Sequence, residues 1–190
     1  MEGLYTATLF DYKEGFSKYF NEGIELGRSF VQPKYWNSRA LDYLWQGIGA
    51  YVKANPDIRY LFGPVSISRS YDDNAVSLLV YFYMNYFGAK SRDVLHRDSY
   101  IITDENRSKF ETLFVHNDFE EDLLTLKSEL QLGGYAIPTL YKQYSDLCEE
   151  DGVEFMDFGI DKEFDNCVDG FIVVDVQKLK PIKRKRYFEA

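Results

Sequence analysis

Residues 23–54, GIELGRSFVQPKYWNSRALDYLWQGIGAYVKA, decide the fold. The first ten, 23–32, read as a strand, and Pro33 ends it because proline has no N–H to give a ladder. Asn37 or Ser38 then supplies the side-chain oxygen that caps a helix running to about Ala54. Within it Leu41, Leu44, Trp45, Ile48 and Val52 recur at helical spacing and predict one buried stripe. Asn55-Pro56-Asp57 breaks the helix.

The next stretch, RYLFGPVSIS (59–68), is a continuous apolar run bounded by turn residues, the mark of a buried central strand. A second helix over about 72–87 turns Ala75, Leu78, Leu79, Phe82, Tyr83 and Tyr86 inward. Strand, helix, strand, helix is a βαβ unit, so its two strands are expected to be parallel.

Outward from this unit, LYTATLFDY (4–12) alternates like a strand. Residues 89–107 read as irregular, 108–130 as a charged helix, and 137–149 as a helix with Pro138 in its first turn. Two last strands, 153–160 and 170–177, are joined through Asp165-Asn166. The expectation is one α/β domain over residues 1–190, a mixed five-stranded sheet with flanking helices, ending in a basic tail at 178–190.

Composition narrows the function. A net charge of −9 argues against nucleic acid as a partner. Cys148 and Cys167 make no disulfide framework, and the N-terminus lacks a signal-peptide layout, so the expected compartment is cytoplasmic. The most apolar stretch, 75–87, is too short to span a bilayer, which leaves peripheral membrane contact open. Aromatic residues reach 17%, with 16 Tyr and 15 Phe, enough to fill a core and also line a groove for an apolar ligand. His96 and His116 do not pair at metal spacing and no C-x-x-C occurs, so no metal is expected. Asp161, Asp165 and Asp169 lack the glycine and terminal Glu of a calcium loop and read as a solvated hairpin.

Three blocks, ELGRSFVQPKYW (25–36), DYLWQGI (42–48) and RYLFGPVSIS (59–68), carry a family resemblance, joined by FGIDKEFDNCVDGFIVV (158–174). Together they resemble the haemolysin-like acyltransferases, GNAT-fold proteins that include ornithine-lipid and glycine-lipid N-acyltransferases. Acyl-homoserine-lactone synthases show a similar E-L-x-R-F strand. The resemblance implies a GNAT-like mixed sheet whose two parallel strands splay apart, so that a pantetheine arm can pair with them as a pseudo-strand. It also implies that the opening strands of that fold have no counterpart here and that the chain is a fragment. Residues 4–12 would then form an unpaired edge prone to self-association.

The implied reaction moves a long-chain fatty acyl group, 3-hydroxyacyl groups included, from a thioester carrier to the amine of an amino acid or similar small amine. Acyl carrier protein or acyl-CoA would be the donor. The loop YWNSRA (35–40) has no glycine for a pyrophosphate, which favours a single phosphate and hence acyl carrier protein. Phosphate would meet the N-terminus of the following helix at Lys34, Tyr35, Asn37, Ser38 and Arg39.

Glu25 is the implied proton acceptor for the amine, Arg28 a fork for a carboxylate or the carrier, and Ser29 a hydroxyl for the tetrahedral intermediate. Structural pairing of Glu25 with Arg28 is the competing reading. Tyr81, Tyr83 and Tyr86 lie on the helix that supplies a thiolate-protonating tyrosine in many relatives; Tyr83 stands as the candidate. The cluster Lys178 to Arg186 would steer an acidic carrier protein, touch an anionic membrane, or simply be a solvated terminus. The rival to catalysis is a non-catalytic module that holds an acyl chain or a partner.

Overall fold

The computed structural model describes residues 3–27, 29–35 and 38–189. Its spine is a four-stranded sheet in the order β2 (Gly23–Glu25), β3 (Tyr60–Ile67), β6 (Cys167–Asp175), β5 (Val153–Asp161). A two-stranded ribbon of β1 (Phe10–Tyr12) and β4 (Val94–His96) lies beside it. The expected βαβ unit is present. β2 and β3 are parallel and are joined by α3 (Ala40–Ala54); α4 (Asp73–Phe87) follows. Asp72 caps α4 by accepting from the Ala75 N–H at 2.8 Å. β3–β6 and β6–β5 are antiparallel, so the sheet is mixed, and the fold is GNAT-like. The β5–β6 connection, 162–166, ends with positive φ at Asp165 and Asn166 (55° and 53°), residue types that accept the left-handed region.

Several expectations are corrected. Residues 4–12 do not form one strand. Thr6–Leu9 is a helical turn, α1, whose N–H groups are taken by a side chain from β2, and only Phe10–Tyr12 extends. Those three residues pair with β4, so the segment is not an unpaired edge. The strand expected over 23–32 stops at Glu25, because the chain beyond leaves β3.

The charged helix expected at 108–130 is two helices, α5 (Asp104–Leu113) and α6 (Phe119–Leu132). Asp118 caps the second by accepting from the N–H groups of Glu120 and Glu121. The helix expected over 137–149 shortens to α7 (Thr139–Ser145). A short α2 (Ser17–Asn21) precedes β2.

The basic tail is not a solvated terminus. Its residues 181–187 form α8 (Pro181–Tyr187), which packs on α3 through Tyr187 and Trp45, ring centroids 6.0 Å apart. Lys180 and Lys183 both bind Asp146, Arg186 binds Asp42, and Arg184 donates to the Val176 carbonyl. No helix among the described residues is long and apolar enough to cross a membrane.

The two faces of the sheet are packed differently. One carries Leu61, Val65, Phe155, Phe158 and Ile172 and is covered by α3, α4, α6 and α7. The other carries Phe62, Phe171, Val173 and Met156 and is covered by the N-terminal segment through Phe10, Phe16 and Tyr19.

Candidate functional site

The site begins where the parallel strands part. β2 matches β3 from Gly23↔Tyr60 to Glu25↔Phe62, and the Leu26 N–H still reaches the Phe62 carbonyl at 2.7 Å. β3 runs on to Ile67 while the other chain turns away. Gly63 permits the last close approach. A Cβ there would lie 2.0 Å from the Leu26 carbonyl oxygen, so a side chain would push the strands apart one step earlier. Past this point a groove of about 560 Å³ opens between the 29–35 segment, the start of α3 and the start of α7. Phe30, Val31, Tyr35, Leu41 and Leu140 make it largely apolar, with Ser29, Ser38 and Thr139 at its polar edges.

Glu25 stands at the divergence and accepts three hydrogen bonds. Oε1 takes the Thr6 N–H at 2.7 Å and the Thr6 hydroxyl at 2.5 Å; Oε2 takes the Tyr5 N–H at 2.9 Å. The carboxylate therefore serves as the N-terminal cap of α1, satisfying donors a helix end leaves free. Tyr12 donates in turn to the Thr6 hydroxyl at 2.5 Å, and burial pushes its phenol up to about 12. Oε2 keeps an acceptor position for one more donor.

Further along the same covered face sit three buried polar side chains, Asp161, Asp169 and His96. Asp161 accepts from the Tyr5 hydroxyl at 2.8 Å and from the N–H groups of Glu163 and Phe164 at 2.9 and 3.0 Å. Asp169 is the register partner of Gly159 on β5 and of Ser66 on β3. Burial pushes its carboxyl up to about 6; the Ser66 hydroxyl favours the anion and the Asp161 charge opposes it. The ring of His96 lies on Gly159, where a Cβ would come within 2.0 Å of its Cγ. Burial holds the imidazole below its usual pKa, against the pull of Asp157 and neighbouring carboxylates. Tyr5 thus ties two parts of one face together, its N–H on Glu25 and its hydroxyl on Asp161.

The expected site residues fall into three places. Glu25 stands at the divergence, and Ser29, Tyr35 and Ser38 line the groove. Ser38 donates to the Tyr35 carbonyl at 2.5 Å and accepts from the Ala40 N–H at 3.2 Å, but the N-cap of α3 is Arg39 and no side chain caps it, so the expected cap at Ser38 is corrected. Lys34 lies over the Tyr35 ring at 4.7 Å, and Arg39 pairs with Asp42 at 3.2 Å. Arg28 and Asn37 lie outside the described residues. Tyr83 is elsewhere. It is fully buried on the opposite face among Phe87, Tyr141 and Phe155, its hydroxyl has no hydrogen-bond partner, and burial pushes its phenol far up. Tyr86 donates to Asp122, and Tyr81 lines a separate groove beside Arg92 and Arg107. The structure does not bring any of the three helix tyrosines to Glu25.

The reading of Asp161 and Asp169 as a solvated hairpin is corrected, since both are 1% exposed. The signal was available in CVDGFIVV: a lone acid inside an apolar run that is buried on both faces. Tyr5, Thr6 and Tyr12 had no such signal, because their roles depend on a carboxylate some twenty residues away in sequence.

Comparison with known proteins fits this architecture. Residues 1–46 match the family model described as an acetyltransferase (GNAT) domain. The chain is 31% identical over 195 residues to the glycine N(alpha)-acyltransferase of Phocaeicola vulgatus, covering 98% of this chain and 59% of that protein. It is 30% identical to the glycine N(alpha)-acyltransferase of Bacteroides thetaiotaomicron, covering 98% of this chain and 57% of that protein. The chain therefore spans about three fifths of the length of these relatives. No solved structure matches it.

Proposed function

We propose, from the premise that this chain is a relative of the GNAT-fold acyltransferases, that it transfers a long-chain acyl group from a thioester to the amine of glycine or a similar small amino acid. The observation that carries this reading is the parting of β2 from β3 at Glu25, with an apolar groove opening directly beyond it. The thioester arm enters along the free edge of β3. Phe30, Val31, Leu41 and Leu140 take apolar parts of the donor, at roughly 25 cal/mol for each Å² removed from water.

The acceptor amine attacks the carbonyl carbon. As the C–N bond forms, the amine's proton passes to Glu25 through the open position on Oε2, directly or through water; the C–S bond then breaks and the leaving thiolate takes that proton back from Glu25. The donor's phosphate sits at the N-terminus of α3, where Ser38, Arg39 and the exposed Lys142 of α7 face it. A single phosphate, as on an acyl carrier protein, suits the glycine-free loop better than a pyrophosphate does. The product would be an N-acyl amino acid, the head of an aminolipid.

The test is direct. The purified chain is incubated with 3-hydroxyacyl carrier protein or long-chain acyl-CoA and a panel of amines, and products are read by mass spectrometry. N-acylglycine is expected, formed faster from the carrier protein. Absence of any N-acyl product from both donors would reject the reading.

A further inference from the structure

The covered face of the sheet holds more acid than its cover needs. Asp161 and Asp169 stand on β5 and β6, each 1% exposed, and among the described residues no ion pair reaches either. Lys162, the neighbour of Asp161 in sequence, turns to Asp98 at 2.7 Å. Both oxygens of Asp161 at least have donors, Oδ2 from the Tyr5 hydroxyl and Oδ1 from the N–H groups of Glu163 and Phe164. Asp169 does not: its Oδ1 is buried without a hydrogen-bond partner.

A buried carboxylate oxygen left bare costs about 1–3 kcal/mol or more, so folds seldom keep one without a use. Close by, Nδ1 of His96 accepts the Asp98 N–H at 2.9 Å, which puts the ring proton of the neutral imidazole on Nε2. That Nε2 is also buried and unpartnered. One face therefore carries an unused acceptor and an unused donor, both within the field of Asp161.

Two buried carboxylates on adjacent strands, with the neutral Ser66 hydroxyl beside Asp169 on β3, suit a compact cation with three N–H donors. A divalent metal would demand a third anionic or imidazole ligand, and no group of three such residues is so placed among the described residues. We propose that Asp169 and Asp161 form the subsite for the ammonium group of the acceptor, with the Tyr5 hydroxyl holding the ammonium's position on Asp161 in its absence. This rests on the amine-acylation reading and extends it to the acceptor.

The way in is the N-terminal segment. Of residues 4–9 only Thr6 is buried, and polar bonds to Glu25 and Asp161 are among the fastenings of the segment, beside the packing of Leu4 and Leu9. An amine that replaces the Tyr5 hydroxyl on Asp161 breaks one of these fastenings and gains Asp169. Tyr5 spans from Glu25 to Asp161, so an amine released from the acidic pair lies one side chain's length from the group that takes its proton. His96 Nε2–H is left to donate to an acceptor oxygen, such as the carboxylate of an amino acid.

The experiment uses the intact chain and Asp169→Asn, which keeps the shape and removes the charge. Thermal unfolding is followed with glycine and with trimethylglycine, which has the same charge and no N–H. At about ten times Kd a ligand specific for the fold raises Tm by a few degrees. Glycine is expected to raise Tm of the wild-type chain by that amount beyond trimethylglycine, and the excess should vanish in Asp169→Asn. The variant without ligand should melt no lower than wild type, which separates lost binding from lost structure. In the acyl-transfer assay its KM for the amine should rise at least tenfold, with KM for the acyl donor unchanged.

Equal glycine effects in the two proteins, or equal effects of glycine and trimethylglycine, would overturn the subsite. Because the Tm measurement needs no donor, it decides the subsite even where acyl transfer itself fails.

Discussion

The two faces of the central sheet do opposite work. The face under α3, α4, α6 and α7 is almost wholly apolar: Phe155 stacks on both Tyr141 and Phe158, at 5.6 and 5.2 Å, and Tyr141 donates to the Val65 carbonyl at 2.9 Å. The face under the N-terminal segment has a smaller aromatic cluster and beside it Glu25, Asp161, Asp169 and His96. Packing energy is concentrated on the first, while the second keeps charges that weaken it. A fold tolerates buried acids where chemistry uses them and where another layer supplies the stability.

The largest effects separate the faces most sharply. Phe155→Ala should cost about 3–5 kcal/mol, because it empties the centre of the apolar face. Urea unfolding should show it as a large drop in midpoint with slope m retained. A loss below about 1 kcal/mol would mean that stability is not concentrated there.

Glu25→Gln acts on the other face. Gln keeps a carbonyl oxygen for the Thr6 donors but sets an NH2 against the Tyr5 N–H and removes the proposed base, so kcat/KM should fall about 10²-fold while stability falls by only about 1 kcal/mol. The opposite pattern, with activity kept and Tm lowered, would make Glu25 only the cap of α1 and favour a non-catalytic module that holds an acyl chain.

The next effect is pH-dependent. Asp169 has a folded pKa of about 6 against the ordinary 3.8, so the fold prefers its neutral form. Its contribution is intact below pH 3.8 and is lost as pH rises through 6, amounting to about 3 kcal/mol above that. Asp169→Asn should match wild type near pH 4 and exceed it by about 2–3 kcal/mol at pH 7.5, measured by denaturant unfolding. A constant difference across that range would mean that Asp169 is not the unpaired group described.

These contrasts also mark what the sequence could reveal. The βαβ unit and the Asp165-Asn166 turn were legible because each rests on local chemistry: a helical stripe, a proline stop, a turn pair that accepts positive φ. The apolar groove was foreseeable in kind, since a parallel pair that separates leaves such a space. Residues 4–9 misled, because their alternation suits a strand until a carboxylate from β2 caps them as a helix. Tyr83 misled as well. Its helical position was right, but which face it meets depends on α7, whose placement no nearby residue announces. The tail misled for the same reason, since its partners Asp42 and Asp146 lie far back in the chain.

The smallest expected effect concerns that tail. Were it a free steering patch, changing Lys183, Arg184, Lys185 and Arg186 together would weaken carrier binding alone. Here Lys183 and Arg186 hold Asp146 and Asp42, and Asp42 is 9% exposed with its carboxyl held low chiefly by the Arg186 hydrogen bond. Arg186→Ser should therefore cost about 1 kcal/mol of stability, with KM for the donor little changed.

Among the described cations near α3 and α8, the exposed Lys185 and, by the α3 N-terminus, Lys142 bind no carboxylate and are free to meet an acidic carrier protein. Changing both to Ser should leave Tm in place, raise KM for acyl carrier protein about three- to tenfold, and flatten the salt dependence of kcat/KM, because steering by exposed charges fades beyond a Debye length of about 8 Å. Sedimentation with anionic vesicles, lost in the same double variant while the salt response in the soluble assay stays unchanged, would assign these lysines to a membrane surface instead. If both measurements match wild type, the carrier docks elsewhere, and the positive charge of the tail serves only to close the fold against α3.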